Sequence, residues 1–224
     1  MKIKNTIMNE PQSGNILFYI LIAVALLAAL SYSVAQSGRG GIGKVSEEKA
    51  ALYATEIIEY GNILSQAVSQ IRLRGYKDIE ISFENTKITG YTNANCTEDG
   101  CEIFHINGGG INWMHPPPNA NDGTPWLFTV NNLVNIGTTN VDSIMLLQNV
   151  DMGVCQQLNK KLHGTTTIPQ EEDSITLTKF AGTYSGLAIS DSGNVMDGSS
   201  AYCFEGNVAP AAGTYHYYQV LIAR

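Results

Sequence analysis

Residues 16–35, ILFYILIAVALLAALSYSVA, form twenty consecutive positions without a charge, directly behind the polar leader MKIKNTIMNEPQSGN. Eleven of the twenty are Leu, Ile, Val or Phe, and they leave no polar face, which sets the stretch apart from an amphipathic helix. At 1.5 Å per residue the run makes a helix of about 30 Å, the thickness of a bilayer's hydrocarbon core. Its apolar side chains would favour insertion by roughly 3 to 6 kcal/mol. The expectation is a transmembrane helix over 15–37. A buried core helix is the alternative, although core helices seldom run this long without a polar side.

The pattern then changes. Gly38, Gly40, Gly41 and Gly43 interrupt helix propensity, since each glycine costs about 1 kcal/mol against alanine, and 38–45 reads as a hinge. Ser46 followed by Glu47 and Glu48 resembles a helix start, with a capping hydroxyl and two acids at the positive end of the dipole. Apolar or small residues recur at Ala50, Ala54, Ile57, Gly61, Leu64, Val68 and Ile71, four and three apart. This spacing predicts an amphipathic helix over 46–75, its stripe packed on its own domain's sheet.

Beyond Gly75 the period falls to two. Ile79, Ile81 and Phe83 alternate with Glu80, Ser82 and Glu84, as a half-buried strand does. Further strands are expected at 102–106, 126–133, 143–150, 174–178, 186–189 and 214–222, separated by Gly, Asn and Pro clusters. One helix interrupts them over 152–163, with Asp151 to cap it, Lys160, Lys161 and His163 at its negative end, and Gly164 to stop it. The predicted fold class is α+β: an N-terminal transmembrane helix and an amphipathic helix, followed over 76–224 by a disulfide-bonded, β-rich globular domain.

Charge and cysteines narrow the setting. A net charge of −7 with 13 Lys plus Arg argues against a nucleic-acid partner, which needs a basic stripe to neutralise phosphates. Flanking charge does not orient the apolar run, because Lys2 and Lys4 on one side face Arg39, Lys44 and Lys49 on the other. Cys96, Cys101, Cys155 and Cys203 all follow the run, and an even number of cysteines in an Asn-, Thr- and Gly-rich domain suits an oxidising compartment. Of three pairings, Cys96 with Cys101 is favoured by the Asp99-Gly100 turn between them. Cys155 would then join its helix to a strand near Cys203. The competing reading of four thiolates as a zinc site lacks the paired knuckles of a structural site.

No catalytic constellation emerges. His105, His115, His163 and His216 are scattered, with no spacing that would place two imidazoles on one metal. There is no nucleophile elbow and no phosphate-binding loop, and Gly108-Gly109-Gly110 reads as a plain loop. The chain is read as a non-enzyme, because no nucleophile, base and orienting group can be named together. Trp113-Met114-His115-Pro116-Pro117-Pro118 is expected to be an extended polyproline-type segment on the domain surface. Asp191, Asn194 and Asp197 put oxygen donors at spacings that could converge on calcium. Asx and glycine turns account for the same residues.

The leader with Lys2 and Lys4, the glycine at Gly14, and the apolar run immediately behind it resemble the class III signal of type IV pilins and of type II secretion pseudopilins. The resemblance covers about sixty residues. It implies that a prepilin peptidase cuts between Gly14 and Asn15, removing 1–14 and leaving a subunit that begins NILFYILIAV. It further implies like or related pilin subunits and the membrane as partners. The setting would be a bacterial-type inner membrane, with the C-terminal domain periplasmic or extracellular, and the role assembly into a filament or secretion apparatus. Two positions depart from the family pattern: Asn15 stands where Phe or Met is usual, and Tyr19 where a glutamate is usual. Two other readings of the same run stay open. One is an uncleaved single-span anchor displaying a binding domain; the other is a secretory signal ending at the small-x-Ala site Ser33-Val34-Ala35.

Overall fold

The computed structural model describes residues 14–37 and 45–224, and the chain divides after Lys44 into two units. The leader 1–13 and the glycine-rich stretch 38–44 lie outside the described residues. The first unit contributes helix α1, Gly14–Ser37. Its reading as a transmembrane span is overturned, because among the described residues no helix is long and apolar enough to cross a membrane. Along α1 the side chains are described over 18–29.

The second unit opens with α2, Glu47–Leu73. All seven positions of the predicted stripe are buried, and Tyr60 and Ala67 are buried with them. They pack on a five-stranded mixed sheet made of β1 (Leu127–Leu133), β2 (Asp142–Leu147), β3 (Ala188–Ile189), β4 (Ala201–Glu205) and β5 (Tyr215–Ile222). The order is β3-β1-β2-β5-β4. β1–β2, β2–β5 and β4–β5 are antiparallel, while β3 runs parallel to β1. Because side chains alternate across a strand, Phe128, Val130, Met145, Leu147, Cys203 and Tyr217 share a cluster with α2. Leu127, Ile144, Leu146, Tyr202, Phe204 and Tyr218 fill a second cluster under Ile175, Ile189 and Met196. Both faces of the sheet are therefore covered, and all six side chains of β2 are buried.

Helix α3, Met152–His163, lies within this unit. The Asp151 carboxylate accepts from the backbone N–H of Gly153 (2.9 Å) and Val154 (3.3 Å), and Gly164 ends the helix at φ 73°, a left-handed geometry that glycine adopts without penalty. Asn159 fastens α3 to β4. Its Nδ2 donates to the Cys203 carbonyl (2.8 Å) and its Oδ1 accepts from the Cys203 N–H (2.9 Å), so the side chain pairs with the strand as a neighbouring backbone would.

Three expected strands do not form. Over 79–83 the chain makes a 3-10 turn, Asp78–Glu80, and one isolated bridge from Ser82 to Glu102. Ile81 and Phe83 are buried as the alternation implies. The backbone is satisfied differently, because Asn93 Nδ2 donates to the carbonyls of Ile79 (2.8 Å) and Ile81 (2.9 Å), and a side chain that bonds backbone competes with a strand ladder. Segment 102–106 follows a 3-10 turn, Asp99–Cys101, and is wrapped by its own glycines: Gly109 N–H donates to Glu102 O (2.9 Å), and Gly108 N–H and Gly110 N–H donate to His105 O. A Cβ on Gly108 or Gly109 would run into the backbone oxygens of Glu102 and Ile103. Segment 174–178 keeps a single bridge, Ser174 to Ala209. β4 lay outside the bounded strand expectations; its five residues AYCFE show no polar alternation because both their faces are buried.

Candidate functional site

Helix α1 presents a continuous run of exposed apolar side chains. Every described side chain over 18–29 is exposed, and Phe18, Tyr19, Leu21, Val24, Leu26 and Leu27 are each at least 60% exposed. The adjacent rings of Phe18 and Tyr19 meet edge-on at 6.4 Å. Ala23, Ala25, Ala28 and Ala29 break up the bulk and leave room for a close backbone approach. The expected processing point between Gly14 and Asn15 falls in the first residues of α1.

Two disulfides form in the second unit, Cys96–Cys101 with Cα atoms 5.7 Å apart and Cys155–Cys203 with Cα atoms 5.4 Å apart. No cysteine is left free for a zinc site. The first bridge closes the turn at 97–100, and the second ties α3 to β4.

The calcium candidates Asp191, Asn194 and Asp197 take part in hydrogen bonds within the protein. Both Asp191 oxygens accept backbone N–H groups, Oδ2 from Val195 (3.0 Å) and Oδ1 from Met196 (2.9 Å). Asn194 sits at φ 51° with its N–H on the Asp191 carbonyl. Asp197 instead accepts from Asn135 Nδ2 (3.0 Å). Among the described residues no three His, Cys, Asp or Glu side chains form a metal-holding group. Nearby, Glu171 is buried with neither carboxylate oxygen hydrogen-bonded, and burial raises its pKa. In the sequence alone, the run Glu171-Glu172-Asp173 looks like a solvated acidic loop, and the burial of Glu171 is visible only in the fold.

The histidines occupy separate places. His216 is buried, accepts from the Asn149 N–H (3.4 Å), and lies 2.7 Å from Thr214 Oγ1; loss of solvation pushes its pKa down to about 4. His163 stacks on Tyr202 at 4.1 Å and reaches the Ala201 carbonyl. His105 lies 3.6 Å from Asp99. His115 meets the edge of Trp113 at 4.3 Å.

The proline segment is more embedded than a surface strand would be, for Pro116 and Pro117 are buried. It lies against α2 and borders an open groove of about 380 Å³ whose lining includes Glu56, Glu59, Tyr60, Ile63, Met114 and Trp126. Met114 is clamped by its backbone: its N–H donates to the Tyr60 hydroxyl oxygen (3.2 Å), and its carbonyl accepts from Trp126 Nε1 (2.9 Å). Burial pushes the Tyr60 hydroxyl up to about 12, so the phenol stays neutral across the physiological range. No protein-family model, curated protein or solved structure matches the chain.

Proposed function

We propose that this chain is a pilin-like or pseudopilin-like subunit of a cell-envelope filament or secretion apparatus, assembling through α1. The observation that carries the reading is the bare apolar surface over 18–29, exposed on every side of the helix. Uncovered apolar area is unfavourable by about 25 cal/mol per Å², and a helix that is apolar all round calls for cover all round. Like helices packed about it supply that cover, and the alanines permit them to come close. The two disulfides suit a second unit held outside the cytoplasm, in the periplasm or beyond the cell. Removal of the leader between Gly14 and Asn15 by a prepilin peptidase is part of the same proposal, because it frees the start of α1 for packing.

The test is assembly in the source cell. Intact protein should carry Asn15 at its amino terminus and sediment as a high-mass species. L21K/L27K should abolish that species while leaving the unfolding transition of Val45–Arg224 in place. Persistence of the high-mass species in L21K/L27K would refute assembly through α1.

A further inference from the structure

We propose that residues 169–175 are a latch that closes the sheet while the Glu171 carboxyl holds its proton and loosens when that carboxyl ionises. The segment lies between the two edge strands. On one side it runs beside β4 and the residues that follow it: the Glu205 N–H donates to the Pro169 carbonyl (2.8 Å), the Glu171 N–H to the Glu205 carbonyl (2.9 Å), and the Ile175 N–H to the Ala209 carbonyl (2.9 Å). On the other side it meets the residues directly after β3, where the Glu172 N–H donates to the Ser190 carbonyl (3.0 Å) and Glu171 pairs with Asp191. β3 and β4 are the outer members of the order β3-β1-β2-β5-β4. These bonds therefore join the two ends of the sheet, over the cluster that contains Ile175, Ile189, Tyr202 and Phe204.

The seam carries an uncompensated acid. Glu171 is 1% exposed, and neither carboxylate oxygen has a hydrogen-bond partner. Burial raises its pKa, an effect that the nearby Asp173 N–H offsets only in part. The groups around it bring no cation. Glu172 and Asp173, on the same segment, are acids that oppose a further negative charge. Across the seam, Glu205 accepts from the Gly213 N–H (2.9 Å), and both Asp191 oxygens accept backbone N–H groups. Burial holds the phenols of Tyr202 and Tyr218 neutral in the enclosed cluster, and His216 on β5 is uncharged at neutral pH for the same reason. None of these acids takes part in an ion pair among the described residues. A buried carboxylate with neither cation nor donor is costly, and its protonated form far less so. Because the folded pKa lies above the unfolded one, the closed seam is favoured most below the ordinary glutamate range, and that advantage is lost as pH rises through the folded value. Opening the seam relieves the charge by breaking the seam's own bonds, well short of global unfolding. α1 takes no part, so the inference stands apart from the assembly proposal.

Hydrogen exchange on the full chain, corrected for intrinsic rates, reads the seam at pH 5 and at pH 8. Protection of the Glu171, Glu172, Ile175 and Glu205 amides should fall about tenfold between the two, while the amides that link β2 to β5 keep theirs. In E171Q the seam should be equally protected at both pH values. In the wild-type protein the side-chain carboxyl carbon of Glu171, followed by NMR, should titrate above the ordinary glutamate range and over the interval in which protection falls; this measurement needs no variant to fold. Seam protection independent of pH in the wild type, the same fall in E171Q, a Glu171 carboxyl that titrates in the ordinary range, or an equal loss at β2 and β5 would overturn the proposal. So would calcium chloride restoring seam protection at pH 8 in the wild type and not in E171Q, because Glu171 would then be a cation ligand.

Discussion

Helices α1 and α2 have similar lengths, 24 and 27 residues, and opposite relations to their own unit. α2 buries nine residues on one stripe and turns Glu48, Glu56, Glu59 and Gln66 to water. α1 leaves all twelve described side chains exposed although nearly all are apolar or alanine. A period of 3.6 marks a helix whose partner lies in the same fold; an apolar helix without a period marks one whose partners must surround it. The two helices therefore respond to different losses, α2 to changes within its unit and α1 to changes in what it meets.

The largest break should come from the cover over α2. α3 packs against α2 and is tied to β4 by Cys155–Cys203, which spans 48 residues of sequence. On the loop-entropy account such a closure is worth about 4 kcal/mol, whereas a separation of 5 residues, as in Cys96–Cys101, is worth about 2 kcal/mol. C155A/C203A should lower the unfolding free energy in urea by about twice as much as C96A/C101A. Equal losses would mean that the long tether does not hold α3 over the stripe.

A direct exchange between the helices comes next. Leu64 is wholly buried in α2 and Leu27 is 69% exposed in α1. Leu64→Ala should cost about 2 to 5 kcal/mol, as buried leucine truncations do. Leu27→Ala should leave unfolding within about 0.5 kcal/mol while weakening the high-mass assembly. If Leu27→Ala destabilised the folded chain as much as Leu64→Ala, α1 would have to be packed inside the molecule, and the contrast would be lost.

The sequence made this contrast readable because periodicity survives folding. The stripe from Ala50 to Ile71 and the end signals of α3, Asp151 and Gly164, act locally and lie where the pattern puts them. β1, β2 and β5 also fall within one residue of their expected starts. Strand expectations at 79–83, 102–106 and 174–178 failed for a shared reason: alternation reports which side chains are buried, not who receives the backbone hydrogen bonds. Asn93 and the run Gly108-Gly109-Gly110 take those bonds from positions the alternation cannot see. The membrane span is overturned because no helix among the described residues is long and apolar enough to cross a bilayer. The groove was illegible since Tyr60 and Met114 meet across 54 residues, and Glu56 and Glu59 look like any solvated helix face until a proline segment is laid beside them.

The smallest effect separates helix starts. Ser46 occupies the N-cap of α2 with extended backbone, φ −63° and ψ 153°, and its side chain makes no capping bond. Asp151 at the start of α3 accepts two backbone N–H groups. A helix of 27 residues with nine buried positions is held by its packed face, while one of 12 residues draws a larger share of its stability from its ends. Asp151→Ala should therefore cost about 1 kcal/mol, a normal loss for a working cap, and Ser46→Ala should change stability by no more than a few tenths of a kcal/mol. The midpoint of urea unfolding, read at constant slope, measures both. A loss from Ser46→Ala as large as that from Asp151→Ala would show that α2 depends on a side-chain cap after all, and that its buried stripe contributes less than the comparison with α1 requires.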